Sequence, residues 1–198
     1  TLEAFMKGGF GITLKRIPSI DHAIKSIGFI LIGAYWMDTT LSTLLKLTLG
    51  AIMFMRFLYW EPVKALSRID IGVMYLGYLA ISASLFLQCL PAQYSHLGSS
   101  LATHTFTLGA IGLIAPAMII RISKGHTGRK VTFTTKDKIC IYLMMSALVF
   151  RIGVPFFLPD LYTACLTLSA VCWFATFTIL GHQYIPVLLA PRVDQREH

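Results

Sequence analysis

The stretch Ser99-Ser-Leu-Ala-Thr-His104-Thr-Phe-Thr-Leu-Gly109-Ala-Ile-Gly112-Leu-Ile-Ala-Pro-Ala-Met118-Ile-Ile-Arg121-Ile-Ser-Lys-Gly125-His126-Thr-Gly128-Arg129-Lys130 decides the fold. From Ser99 to Ile120 it carries no Asp, Glu, Lys or Arg, and then it turns abruptly basic. A bilayer core needs about 20 apolar residues per helix, and this run supplies them. Five more runs share the pattern, over about 21–37, 40–57, 70–90, 138–157 and 161–181, beside this one at about 99–121. The expectation is an all-α, polytopic transmembrane helical bundle of about six spans. Composition agrees: 56% of the 198 residues are hydrophobic and 13% are charged, against about 25% charged in soluble domains.

Turn residues separate the runs. Pro62 lies in the second link, Pro91 ends the third run and Pro159 parts the fifth from the sixth. Pro155, near the end of the fifth run, predicts a kink. Three regions follow: a cytoplasmic segment 1–20, a membrane domain 21–182 and a cytoplasmic tail 183–198. The chain begins at Thr1 and its first residues read as the end of a loop, the pattern of a piece of a longer polypeptide.

The charge pattern orients the runs. Fourteen of the 17 Lys and Arg lie before the first run, in the second and fourth links or after the sixth run. The three alternate links hold none, and Lys25, Lys46 and Arg151 fall within runs. An excess of cations on one side marks the cytoplasmic face, so both ends are expected there. The same pattern accounts for the net charge of +8 without nucleic acid as a partner. Membrane lipid is the expected surround. Cys89, Cys140, Cys165 and Cys172 form no CxxC pair and no zinc spacing.

Polar side chains within a bilayer are costly and point to function. Arg151, in the fifth run, needs an anionic partner: a haem propionate, an anionic substrate, or a structural acid or helix-end carbonyl. Lys46 is long enough to snorkel outward. His104 lies about one turn into the fourth run, and His96 precedes it. His22, His126 and His182 stand at the cytoplasmic ends of three runs. Neutral imidazole suits haem iron and copper, so His104, His126, His182 and His96 are the candidate metal ligands, against the plainer reading of hydrogen-bonded structural histidines. Met118 lies on the face of His104 but roughly 21 Å deeper along a helix, too far to share a metal. In the loop Gly125-His-Thr-Gly-Arg129, Gly125 and Gly128 allow close backbone approach. Arg121, Arg129 and Lys130 surround it with charge suited to carboxylates or phosphates. No Walker loop, GxGxxG or HExxH is present.

Two stretches carry a family resemblance. One runs from Ala102-Thr-His104 through Gly109 and Gly112 to Arg121 and Gly125-His-Thr-Gly-Arg129. The other is Tyr184-Ile-Pro186-Val-Leu188-Leu-Ala-Pro191-Arg192-Val-Asp194. With Arg56 to Trp60, Pro62 and Leu76-Gly77-Tyr78, they resemble the NnrS family from about residue 50 onward. Family members are about twice this length, with about twelve spans, so the likeness is to their C-terminal half. The resemblance implies a bacterial inner-membrane protein holding haem and copper, acting in the nitric-oxide response and in protection against nitrosative stress. It leaves the chemical step, and whether the chain is an enzyme, open. It carries over His104, Arg121, Gly125, His126, Gly128 and Arg129, with Arg151 as a further candidate partner for the cofactor. It also implies a partner, either the N-terminal half of a longer chain or a second copy. The family often has a His before the Leu-Gly-Tyr; here that residue is Tyr75, which implies a lost ligand or a phenolate in its place. Two other readings are a transporter of a small anion and a structural or assembly subunit of a respiratory complex.

Overall fold

The computed structural model describes residues 2–15, 17–34, 36, 39–90 and 95–194. Pro91, and Arg16 and Arg196 among the cations counted above, lie outside this set. Helices α1 (Leu2–Phe10), α2 (Pro18–Ala34), α3 (Thr39–Tyr59), α4 (Pro62–Leu66), α5 (Ile69–Leu87) and α6 (Ser95–His104) precede a π-helical segment, Thr105–Ile111. Then come α7 (Gly112–His126), α8 (Thr135–Leu148), a second π segment at Val149–Gly153, α9 (Val154–Phe157), a 3-10 turn and α10 (Tyr162–Leu189). No strand occurs among the described residues. The protein is an all-α membrane bundle.

Among the described residues, four helices are long and apolar enough to cross a bilayer: Thr40–Tyr59, Ile69–Leu87, Ser100–His126 and Pro159–Leu189. The other two expected runs are helical as well. One is α2, 17 residues long. The other is α8, which carries Lys136, Asp137 and Lys138 in its first turns and passes through π geometry before α9. Two boundaries differ from the sequence expectation. Leu2–Phe10, read as loop, is a helix whose Met6 is fully buried. The sixth run continues as helix to Leu189 past Pro186, so only the residues after it form a tail. Pro186 lacks an N–H but leaves the rest of the helical ladder intact.

The chain divides into two compact units, residues 1–110 and 111–198. In the first, Met6, Leu14, Phe57, Trp60, Ala65, Ile71 and Tyr75 form one core cluster. The α1 helix is held to the start of α5 by Arg68, whose guanidinium donates to the Gly9 carbonyl at 2.9 Å and grips Asp70. A side chain at Gly9 would meet Ile71 Cδ1 at 2.6 Å, so any larger residue there has to displace the Ile71 side chain. The Ser82 hydroxyl donates to the Gly50 carbonyl, joining α5 to α3.

In the second unit α8 packs on α7 and α10. Ser169 and Thr176 of α10 donate to the carbonyls of Ala147 and Cys140 at 2.8 and 3.3 Å. Such polar ties are useful between membrane helices, where lipid offers no hydrophobic drive to associate. Pro155 has no N–H for the Arg151 carbonyl one turn earlier, and the helix is wound in π geometry just before it.

Candidate functional site

Asp137 is the centre of the second unit. Its side chain is fully buried. Thr134 caps α8 in a reciprocal box: Asp137 N–H donates to the Thr134 hydroxyl, and Thr134 N–H returns to Asp137 at 2.8 Å. The other donors come from further away. Lys124 of α7 forms an ion pair with the same oxygen and also donates to the Thr132 carbonyl. From α10, Gln183 Nε2 and the Tyr184 hydroxyl donate to the second oxygen at 2.9 and 2.7 Å. Burial alone would raise the Asp137 carboxyl; hydrogen bonds from Lys124, Tyr184 and Thr134 outweigh it and hold the group below its ordinary value. One carboxylate thereby fixes the relative positions of three helices and the basic loop between α7 and α8.

That loop is shaped by its glycines. Gly128 has φ +74°, a left-handed conformation at the end of α7. Its N–H donates to the Gly125 carbonyl, and Arg129 N–H to that of Lys124. The C-terminal tail lies against this turn. Val193 N–H donates to the Thr127 carbonyl at 3.1 Å. Arg192 holds the Asp194 carboxylate through two hydrogen bonds, at 2.9 and 2.7 Å. A Cβ on Gly128 would stand 2.7 Å from Asp194 Cγ. The two stretches that carried the family likeness therefore meet at this turn, through Val193 with Thr127 and Asp194 with Gly128.

The candidate ligands are distributed differently. His126 is the last residue of α7 and is exposed; His182 on α10 is exposed as well. Arg121 is buried, with its guanidinium carbon 5.5 Å from the centre of the Phe133 ring. Arg129 is half-buried, and its Nη1 is buried without a hydrogen-bond partner among the described residues. Gly125 faces open space: a Cβ there would meet only Val131, at 4.0 Å. Arg151 donates to the Tyr162 hydroxyl at 3.3 Å and lies over that ring. In the first unit, His22 is exposed and His104 is partly buried, and His104 ends α6 at the start of the π segment. The side chain of His96 is outside the described residues. No group of three or more His, Cys, Asp or Glu side chains suited to a metal ion forms among the described residues.

Tyr75 has a structural role. Its side chain is fully buried, its hydroxyl donates to the Trp60 carbonyl at 2.7 Å, and its ring meets Phe57 and Trp60 edge-on. A phenol held this way is not a vacant ligand. Nearby, Arg56 pairs with Asp21 at 3.0 Å and stacks over Trp60, so this part of the likeness also lies in one place.

Sequence reasoning passed over Lys124, Asp137 and Gln183. A signal was available for Asp137: Thr134-Thr-Lys-Asp137 has capping-box spacing ahead of an apolar run. Nothing in the sequence marks Lys124, among the six cations from Arg121 to Lys138, as the buried partner of Asp137.

Together, the apolar helices and the basic, buried-charge hub define an integral membrane protein with one polar centre in its second unit. Residues 2–192 match the NnrS protein family. The chain belongs to that family over nearly its whole length, including the first 50 residues, where only hydrophobic pattern was expected to agree. Nothing matches among curated proteins or among solved structures.

Proposed function

We propose that this chain is a haem-binding protein of the bacterial inner membrane that acts in the nitric-oxide response and protects against nitrosative stress. Family membership over residues 2–192 carries the reading. The positive-inside pattern supports an orientation with both ends in the cytoplasm.

The residues around the end of α7 would suit a haem, with one imidazole for its iron and cations for its carboxylates. His126 is exposed beside the open Gly125, and Arg121 and Arg129 flank it as cations for propionates. Gly128 turns the chain between His126 and Arg129, and Arg151, half-buried over the Tyr162 ring, is a further cation. His104, His96 and His182 are the remaining single-ligand candidates. Bound haem would supply a redox-active iron able to bind a diatomic gas. The chain's part would be to present the His126 imidazole and to neutralise the propionates with Arg121 and Arg129. A copper centre of three protein ligands does not fit, because no such group forms among the described residues. Further ligands would have to come from a second copy or from the other half of a longer chain.

The test is a reduced-minus-oxidised visible spectrum with metal analysis, on the detergent-purified chain and on His104→Ala and His126→Ala variants. A Soret band lost in His126→Ala supports the assignment. Loss in His104→Ala alone moves the axial ligand to the first unit. A folded, colourless chain overturns the haem reading.

A further inference from the structure

The first unit has a recess where the N-terminal residues meet the end of α3. It encloses about 280 Å³ of empty space, part of it open to the surroundings. Glu3, Lys15, Asp21, Arg56, Tyr59 and Trp60 line it. Two carboxylates, two cations and two rings thus share one small place, and the formal charges cancel.

The wall of the recess is built before anything enters. Trp60 is buried, and its carbonyl accepts from the buried Tyr75 hydroxyl at 2.7 Å. The Tyr78 ring packs 5.3 Å from the Trp60 ring. Arg56 lies 4.2 Å over Trp60 and pairs with Asp21 Oδ1 at 3.0 Å. The chain then turns through Glu61 at φ +53°, a left-handed conformation that a side chain disfavours.

This end of α3 has the composition of a bilayer surface. The apolar window Thr40–Tyr59 stops here. Leu58, Tyr59, Val63 and Leu66 are exposed beside Lys64. Rings, cations and exposed apolar groups mixed in this way belong at the depth of lipid headgroups.

The lining selects among headgroups. A bare anion would meet Glu3 and Asp21 as well as the cations. A choline would need an aromatic cage, and Arg56 already covers a face of Trp60. A phosphate joined to a primary ammonium meets both signs. Lys15 is exposed and reaches for the phosphate, and Arg56 has more N–H groups than Asp21 uses. Asp21 meets Arg56 through Oδ1, which leaves Oδ2 to accept from an ammonium.

We propose that this recess seats the headgroup of phosphatidylethanolamine, with its phosphate at Lys15 and Arg56 and its ammonium at Asp21 and Glu3. The assignment holds whichever side of the membrane this end of α3 faces.

The test is native mass spectrometry of the full chain, released from mild detergent with equal amounts of dioleoyl phosphatidylethanolamine, phosphatidylcholine or phosphatidylglycerol. One phosphatidylethanolamine should be retained roughly tenfold more tightly than either other lipid, the factor of one charge-assisted hydrogen bond. Glu3→Gln with Asp21→Asn should bring its ratio to phosphatidylcholine down to about one. Lys15→Gln, at an exposed position, should weaken both of those lipids by roughly threefold, since both carry the phosphate. Each ratio compares two lipids on one preparation, so a partly unfolded variant leaves it readable. Soluble phosphoethanolamine at the same concentration should displace neither lipid; displacement would make this a site for a free solute and overturn the lipid assignment. Equal retention of all three lipids overturns the proposal. Tighter phosphatidylglycerol does so too, by making the recess a plain anion site. A ratio unchanged in the double-acid variant overturns the placement.

Discussion

Replacing Asp137 by Ala tests the hub most directly. The substitution removes the acceptor of five donated hydrogen bonds: one from Lys124, two from Thr134, one from Gln183 and one from Tyr184. The gravest consequence is electrostatic, because the Lys124 side chain is only 9% exposed and would keep its charge without its carboxylate. Breaking a buried ion pair from one side destabilises by about 3–5 kcal/mol. The losses share one acceptor and do not add, so the variant as a whole should lose about 4 kcal/mol. Cys140, on α8 one turn from Asp137 and fully buried, is a native reporter. With every 1.4 kcal/mol worth tenfold, its maleimide labelling through opening of the unit should accelerate by roughly a thousandfold. The paired variant Lys124→Met with Asp137→Leu removes both charges and should recover most of the loss. An acceleration under about fivefold in Asp137→Ala, or a paired variant no better than the single one, would refute the argument.

Acid sensitivity follows from the same group. The Asp137 carboxyl is depressed below 3.8 in the fold, so its contribution is complete above that pH and is lost as the pH falls below it. Tyr184→Phe removes one of the bonds that depress it and should move the acid-unfolding midpoint upward, read by circular dichroism in detergent. Tyr75→Phe should destabilise by about 1–2 kcal/mol, because the Trp60 carbonyl loses a buried donor, and should leave any visible spectrum unchanged. Orientation is tested with Lys130→Cys in a background lacking the four native cysteines. An impermeant maleimide should label it in inside-out vesicles and not in intact cells; the reverse pattern would invert the topology.

The membrane character was legible because long uncharged runs have few alternatives in water. Helix ends were less legible. Pro186 reads as a stop in a soluble helix, yet α10 passes through it, since one missing N–H leaves the rest of the ladder whole. The N-terminal residues read as loop because α1 is short and partly polar; its burial depends on Met6 meeting residues of α3, α4 and α5. At the site, the GHTGR loop and the Tyr184–Asp194 segment were visible as strings, but their meeting was not. Tyr184 and Asp137 are 47 positions apart, and no local pattern links them. Lys124 had the composition of a solvated loop cation; only Asp137 behind it makes it a buried one.

Arg151 and His104 had been singled out for one shared reason, a polar side chain in an apolar run, and each falls at a π segment: Arg151 inside Val149–Gly153, His104 immediately before Thr105–Ile111. A π turn holds an extra residue, so the helix faces before and after it are offset by about 100° relative to an uninterrupted α-helix. A proline follows each segment within a few residues, Pro155 after the second and Pro116 after the first. Lacking an N–H, each proline removes one rung of the α ladder and lowers what the wider turn gives up. For Arg151 the outcome is concrete: its guanidinium reaches the Tyr162 hydroxyl and lies over the ring of the following helix. A charge within an apolar run is therefore placed by a local change of winding that hydropathy alone does not reveal, and the same device stands next to His104, about one turn into the fourth run.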